Sequence, residues 1–522
     1  MALQSEVASA LSYAASKGYQ IHPDAFAMLK GLETDVLKAV QDIIKTKKSR
    51  MIVVEDIKGF LNPGAALEAQ QQQQEAEQKA EVLVDPTPRV NSGEGVDGYA
   101  ALFKSRFEKT MRILAQRPDS KRISKISTVK LAGKNGGGHH PQQRVTAAGH
   151  NNERSLNGGA GSSFVVAGLL MSRRTKKNGI ELELDDYTGR MSVMAVSDDA
   201  KRQAAALALD QVVMLELENA RGVPGLSVRS VFSPDIPDHL PSRSKSESYA
   251  VLISDLHVGS KYFMEAEFTR FLEWLGSGRD DEVVRKIKFL CIGGDLIDGV
   301  GIFPNQDKEL VMMNAGAQMA HTARLLSRIP KHIKTYIIPG NHDPGRRALP
   351  QPAFPDGGSS GGIYTLENCT MLGNPAYVSL NGVKVLMFHG QSLDDVIATT
   401  PGLSYQKPAE AMKVLLKARH LSPTYGGRTP IAPETEDMMV MTEVPDIFHS
   451  GHVHVTDVDS YRGTLVVNSG AWQAQTKFQQ TMGITPSPGI AIVVNLATLQ
   501  PFKQDFNNYY NNGSGGSPSP SS

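Results

Sequence analysis

Apolar positions recur at helical spacing through the start of the chain: Val7, Leu11 and Ala14, then Phe26, Leu29 and Leu32, then Val36, Val40, Ile43 and Ile44. The pattern breaks at Gly18 and at His22-Pro23 and predicts a small all-α domain over 1–62. Between 164 and 232 the runs shorten. Segments 164–171, 180–184, 191–196, 212–217 and 226–232 read as strands, the first three separated by the turn signals Lys177-Asn178-Gly179 and Asp186-Tyr187-Thr188-Gly189. Five strands with a helix-capable stretch at 200–209 before the fourth suit an OB-fold β-barrel within a domain spanning 100–240. From 246 to 506 the pattern becomes buried strand followed by helix, with apolar runs at 249–253, 287–292, 335–338 and 383–388, which predicts an α/β domain.

Low-complexity sequence punctuates these domains. The tract 70–79 is rich in Gln, Ala and Glu and opens with five consecutive glutamines; with Pro86 and Pro88 after it, 63–99 reads as a linker, helical at most in part. The Gly/His/Asn-rich stretch 136–161 interrupts any packing pattern and reads as a mobile loop, its His139-His140 pair as filler rather than a metal site. The tail 507–522, mostly Asn, Gly, Ser and Pro, reads as disordered.

A chain of 522 residues implies two to four domains. Its 55 Lys and Arg against 54 Asp and Glu leave a net charge of +1, which at face value counts against a nucleic-acid partner. The sum conceals a split: 101–134 carries ten basic residues against Glu108 and Asp119, a local net of +8. A solvated helix face and contact with a phosphate backbone both account for such a run. Cys291 and Cys369 cannot build a disulfide framework or a four-thiolate zinc site, so the chain reads as intracellular, with any metal held by His and carboxylate. Neither a membrane span nor a secretion signal is indicated. The barrel segment lacks an aromatic stacking platform, which favours protein docking as its use. Nothing in the chain suggests ATP hydrolysis or nucleotide polymerisation.

Each strand of the α/β domain ends in residues of metal-ligand type. Ser254 leads into Asp255-Leu256-His257, Gly293-Gly294 into Asp295 and Asp298, Pro339-Gly340 into Asn341-His342-Asp343, Phe388 into His389, and Ser450-Gly451 into His452-Val453-His454. Ligands of open α/β sheets sit at the carboxyl ends of strands, so clusters far apart in sequence can converge. Residues two apart in an extended segment, as in Asp255-x-His257 and His452-x-His454, would project to one side. Mixed oxygen and nitrogen donors favour manganese, iron or zinc over an all-oxygen cage. Two such ions about 3.5 to 4 Å apart clamp a phosphodiester for in-line attack, so phosphoester hydrolysis is the reaction this set fits.

The ordered set Asp255-Leu256-His257, Gly294-Asp295-x-x-Asp298, Gly340-Asn341-His342-Asp343, His389-Gly390 and Gly451-His452-x-His454 resembles the calcineurin-like metallophosphoesterase superfamily. Within it, the stretch from Gly340 through Asp343-Pro344-Gly345-Arg346-Arg347 to Pro350-Gln351-Pro352 resembles the small subunit of archaeal family D DNA polymerase. The OB-like segment with Arg173-Arg174-Thr175-Lys176, the helical N-terminus, and Trp472-Gln473 onward to Pro486-x-Pro488-Gly489 match the same layout.

The resemblance covers most of the chain outside its low-complexity tracts and tail. It implies a four-layer α/β metallophosphoesterase sandwich preceded by an OB-fold β-barrel and a small N-terminal all-α domain. It also implies a 3′ to 5′ exonuclease, the proofreading subunit of a heteromeric DNA polymerase, using two divalent ions, manganese ahead of zinc or iron. Carried over by position, Asp255, His257 and His454 would bind the first metal and Asn341, His389 and His452 the second, with Asp295 bridging. His342 would face the scissile phosphate, Asp343 would orient His342, and Asp298 would support a ligand from behind. Candidate DNA contacts are Lys121, Arg122, Lys125, Arg173, Arg174 and Arg346. The implied partners are the large catalytic subunit of that polymerase, DNA 3′ ends and the sliding clamp, with a cytoplasmic, nucleoid-associated location.

Related eukaryotic polymerase B-subunits have lost these ligands and act as scaffolds, whereas here every position is occupied. A stand-alone repair nuclease would use the same site, but the barrel and Pro350-Gln351-Pro352 argue against it. A protein phosphatase carries Arg and Glu where Gly299 and Asp343 stand. A non-catalytic polymerase scaffold is the alternative from a different class.

Overall fold

A computed structural model of the chain describes residues 2–31, 36–46, 50–61, 78–117, 120, 122–135, 163–219, 225–277, 281–355, 357 and 360–507. The Gln-rich tract at 70–77, the Gly-rich stretch 136–161, and the tail from 508 on therefore lie outside the described residues. The chain divides into two compact units, Met1–Lys79 and Ala80–Ser522.

In the first unit the helical spacing becomes α1 (Ala2–Ser16), α2 (Pro23–Lys30), α3 (Val36–Thr46) and α4 (Val54–Leu61). Two short strands, β1 (Gln20–Ile21) and β2 (Met51–Ile52), pair in parallel. Val7, Ala14, Leu29, Val36, Val40 and Ile43 meet in its core. Pro23 opens α2, where its missing N–H is no loss, and His22 caps it by accepting from the Asp24 amide.

The second unit begins inside the segment that the sequence assigns to the linker. Val82 and Val84 belong to an edge strand, β3 (Ala80–Val84), which pairs antiparallel with a strand nearly three hundred residues later. After α5 (Gly95–Leu114) and α6 (Ile126–Asn135) come β4 (Ser163–Lys176), β5 (Gly179–Asp185), β6 (Arg190–Ala195), α7 (Asp198–Ala205), β7 (Val212–Asn219) and β8 (Leu226–Phe232). These five strands close into a barrel of order β4-β5-β6-β8-β7. Alternation along β4 turns Val166 and Leu170 into the barrel and Val165, Ala167 and Leu169 outward, where Phe103, Phe107 and Met111 of α5 cover them.

The remainder holds β9 (Tyr249–Ile253), α8 (Glu265–Gly276), α9 (Glu282–Arg285), β10 (Ile287–Ile292), α10 (Ala315–Leu326), β11 (Lys334–Ile337), β12 (Cys369–Met371), β13 (Ala376–Leu380) and β14 (Val383–Met387). Then follow α11 (Leu393–Thr399), α12 (Pro408–Ala418), β15 (Ile447–Ser450), β16 (Thr456–Tyr461), β17 (Thr464–Ser469), α13 (Lys477–Thr481), β18 (Ile490–Asn495) and β19 (Pro501–Asp505). One six-stranded sheet has the order β12-β11-β10-β9-β18-β19 and the other β16-β17-β15-β14-β13-β3.

Ala250, Leu252, Phe289 and Cys291 of the first sheet pack against Val385, Met387, Ile447 and Val467 of the second. The alternate residues point the other way. Val251, Ile253, Leu290 and Ile292 meet α8 and α10, while Leu386, Phe388, Phe448 and Val466 meet α11 and α12. Strands buried on both faces must be apolar throughout, which is why β9 and β10 read as continuous runs.

The basic run at 101–134 is in part a clasp. Arg106 of α5, 1% exposed, donates from Nε to Asp437 at 2.8 Å and from Nη1 to the carbonyls of Asp210 at 3.0 Å and Pro423 at 2.6 Å. Lys109 pairs with Glu436 at 2.6 Å. His420 completes the cluster: its Nδ1 accepts from the Ser422 amide, and its Nε2 lies 3.0 Å from Asp437. Burial, reinforced by the charge of Arg106, pushes His420 down to about 4. A base with a lowered folded value leaves stability intact above about pH 6.5, its unfolded value, and removes it as pH falls toward 4. His420→Gln should therefore flatten that part of the profile. Urea denaturation at pH 7 and pH 5 should find the wild type losing about 2 kcal/mol more than the variant.

Candidate metal centre

β9, β10 and β11 run parallel in one sheet and β14 and β15 in the other, so the loops leaving their carboxyl ends meet at one edge of the sandwich. There the structure brings together the predicted residues from five strand ends. The ligand-type atoms of Asp255, His257 and His454 lie within 4.8 Å of one another, as do those of Asp295, His389 and His452. His257 Nε2 stands 3.1 Å from His454 Nε2 and 3.7 Å from Asp295 Oδ2. His389 Nε2 is 3.4 Å from the same Asp295 oxygen and 3.0 Å from Asn341 Oδ1. One carboxylate oxygen thus faces both groups.

The Asp-x-His and His-x-His pairs do not achieve this by extended geometry. Asp255, His257, Asp295, His452 and His454 all adopt positive φ, between 52° and 67°, a left-handed region that side chains other than glycine seldom occupy. Each pair lies in a tight loop just past its strand. Strain of this kind gathers at functional sites. Glycine makes room for it: a Cβ on Gly340 would run into Asp295 Oδ1, and one on Gly451 into Asp255 Oδ2 and Ser254 Oγ.

The donors fit a cation. Asp255 Oδ1 is buried with no hydrogen-bond partner, and two imidazole nitrogens face it at 3.4 and 3.8 Å. A dry carboxylate oxygen left in this way calls for a charge to complete it. Burial alone would raise Asp255, but His257 and His454 hold it well below the ordinary carboxylate range. Asp295 is likewise held low against burial by the charges of His389 and His342.

Groups behind the cluster fix its rings. His257 Nδ1 lies 3.0 Å from Asp298 Oδ1, and His389 Nδ1 is 2.8 Å from the Gly293 carbonyl. Residues that sequence reasoning missed supply the rest: Asp394 sits 3.3 Å from His452 Nε2, the Gln479 amide 2.8 Å from His454 Nδ1, and Gln473 and Gln306 both donate to Asp298. Asp394, Gln479 and Gln306 stand in no recurrent strand-end motif, so no spacing signal marks them, whereas Gln473 lies in the Trp472-Gln473 stretch that carries the family resemblance.

His342 lies beside this cluster, its ring 4.7 Å from that of His257. The expectation that Asp343 orients it is not met. His342 Nδ1 is held by the Asp298 carbonyl at 2.8 Å, whereas Asp343 accepts from the backbone amides of Gly340 and Ile297 and so ties two loops together. Burial, aided by the charge of Asp295, pushes Asp343 up to about 7.

The candidate DNA contacts separate. Arg122, Lys125 and Arg174 are exposed, and Lys121 is outside the described residues. Arg173 is an interlock instead, donating to the carbonyls of Ala205, Leu207 and Thr399. Arg346 pairs with buried Glu434 at 2.6 Å and donates to the Pro350 carbonyl. Both guanidiniums turn inward because backbone or carboxylate oxygens already surround them.

With this geometry in view, similarity to known proteins places the chain. Residues 251–456 match the model of the family described as the B subunit of DNA polymerases alpha and epsilon. The DNA polymerase II small subunit of Archaeoglobus fulgidus is 36% identical over 512 residues, covering 93% of this chain and 94% of its own. The chain therefore belongs to the DNA polymerase II small subunit family, which bears out the resemblance carried by its motifs. The Pyrococcus furiosus small subunit is 37% identical over 430 residues and 80% of this chain, which spans 65% of that relative's length. Among solved structures, an archaeal phosphodiesterase overlaps 49% of this chain and 98% of its own at 11% identity, with a TM-score of 0.25.

Gly340→Ala should push Asp295 out of place without unfolding the sandwich. Calorimetric titration with manganese should show affinity reduced about tenfold or more, a loss of the size seen when a ligand's support is removed.

Proposed function

We propose that this chain is a 3′ to 5′ DNA exonuclease, acting beside the large catalytic subunit of a heteromeric DNA polymerase and hydrolysing phosphodiesters at a two-metal centre. The observation that carries the reading is the convergence of two carboxylates, an amide and four imidazoles from five strand ends around one shared oxygen of Asp295, with the ring of His342 alongside. Family membership supports the setting, and the barrel order supports an OB-type module, in which a helix precedes the fourth strand as α7 does here.

Asp255, His257 and His454 would hold one divalent cation and Asn341, His389 and His452 the other, with Asp295 between them; mixed oxygen and nitrogen donors favour manganese. When bound, such a pair of ions supplies Lewis-acid stabilisation of the phosphodiester and its leaving oxygen. The chain's own contribution is positional. Asp298 and Gly293 fix two imidazoles from behind, and the backbone of His342 donates to Asp295 at 2.8 Å, locking that carboxylate's second oxygen. With His342 Nδ1 committed to the Asp298 carbonyl, Nε2 is the atom left to hold or give a proton at the leaving 3′ oxygen.

His342→Ala should retain two metals by elemental analysis yet lower manganese-dependent degradation of DNA 3′ ends by about a hundredfold or more. Unchanged degradation would sink the role given to His342. Asp295→Ala should lose most of its metal in the same measurement, and two full equivalents in that variant would contradict the shared oxygen.

A further inference from the structure

The loop 299–314, between β10 and α10, exposes four apolar side chains: Val300 at 43%, Phe303 at 37%, Val311 at 67% and Met313 at 59%. Four exposed apolar side chains within one sixteen-residue loop are more than chance scatter needs, and Phe303 is the aromatic one among them. The loop is held firmly by two buried glutamines. Gln306 donates to the Asp298 carbonyl at 2.7 Å and to Asp298 Oδ2 at 2.9 Å, and accepts from the Ile302 amide at 2.9 Å. Gln318 of α10 accepts from the Gly299 amide at 2.9 Å and donates to the Met312 carbonyl at 2.7 Å. Asp298 thus anchors three things at once: the ring of His257, the ring of His342, and the loop that displays Phe303.

The ring of Phe303 stands 6.4 Å from that of His342. An exposed aromatic face fixed one side chain from the phosphodiester site matches the part of a nucleic acid that lies one sugar from its phosphate. We propose that Phe303 is a positioning residue for the nucleobase beside the scissile phosphate, stacking against it. The proposal rests on the nuclease reading given above. Stacking on a single aromatic side chain tolerates every base, because each has a π-face, and so suits a site that must accept any terminal nucleotide. The loop beside His342 places that aromatic ring next to the site.

Single-stranded oligonucleotides that differ only in having a base or an abasic site at the last or the penultimate 3′ position provide the test, with manganese present. For wild-type protein, removing the base at one of these positions should raise KM about tenfold or more with little change in kcat, since stacking binds ground and transition states alike. For Phe303→Ala, KM on the intact strand should already stand at that raised level, and removing the base should change nothing. Phe303→Trp should restore the discrimination and Phe303→Leu should not. Full discrimination in Phe303→Ala, or none in the wild type, would overturn the assignment while leaving the nuclease reading in place. If Phe303→Ala keeps its discrimination but no longer co-purifies with the polymerase large subunit, the loop is a protein-docking face and the assignment is wrong. Wild-type protein that degrades neither strand overturns the nuclease reading and this inference with it.

Discussion

The layer of side chains between the two sheets, with Leu252 and Cys291 on one side and Val385 and Ile447 on the other, sets how far apart the loops at the sandwich edge can stand. Stacked sheets lie about 10 Å apart, a gap that an aspartate from one loop and a histidine from the opposite one can close. The shared position of Asp295, facing His257 of its own sheet and His389 of the other, depends on that spacing. So does the backbone approach at Gly340 and Gly451, where no Cβ fits. Holding five ligand-type residues at positive φ costs about 1 to 3 kcal/mol each, and only a sandwich with a continuous apolar interior can hold such loops in place.

A second fixed point joins the barrel to this sandwich. Helix α5 covers the outer face of β4 with Phe103, Phe107 and Met111, and sends Arg106 into a buried cluster with Asp437, His420 and two carbonyls. Arg173 repeats the device from the barrel side, reaching the carbonyl of Thr399 at the end of α11. Arginine suits such a place because its planar fork satisfies several acceptors at once and stays charged when buried. The barrel is therefore bound to the sandwich by directional polar contacts as well as by apolar packing.

The strand-end Asp, Asn and His residues of the candidate centre were legible in the sequence because each follows an apolar run buried on both faces, a signal that needs no knowledge of distant partners. The barrel strands were legible through their turns. What escaped were features that take meaning only from long-range pairing. The strand from Ala80 to Val84 borders a Gln-rich tract and reads as linker until its partner β13 is known. Arg173 and Arg346 read as surface cations because nothing nearby in sequence announces Thr399 or Glu434. Asp343, adjacent to His342, invited a pairing that the backbone forbids by turning its carboxylate toward the amides of Gly340 and Ile297. Asp394 and Gln479 support ring nitrogens from helices outside any motif.

That same early strand makes the two-sheet part of the chain discontinuous. Its second sheet is closed at one edge by residues synthesised before the barrel and completed by residues synthesised long after it. During synthesis the barrel can assemble from local contacts while β3 waits for β13, and closing so long a loop is slow relative to hairpin pairing. A fragment cut at the apparent domain boundary before β9 would retain every residue of the candidate centre yet expose the hydrogen-bonding edge of β13, an open invitation to pair with another chain. The smallest portion able to present the centre with a complete second sheet therefore includes the barrel, whatever the barrel binds.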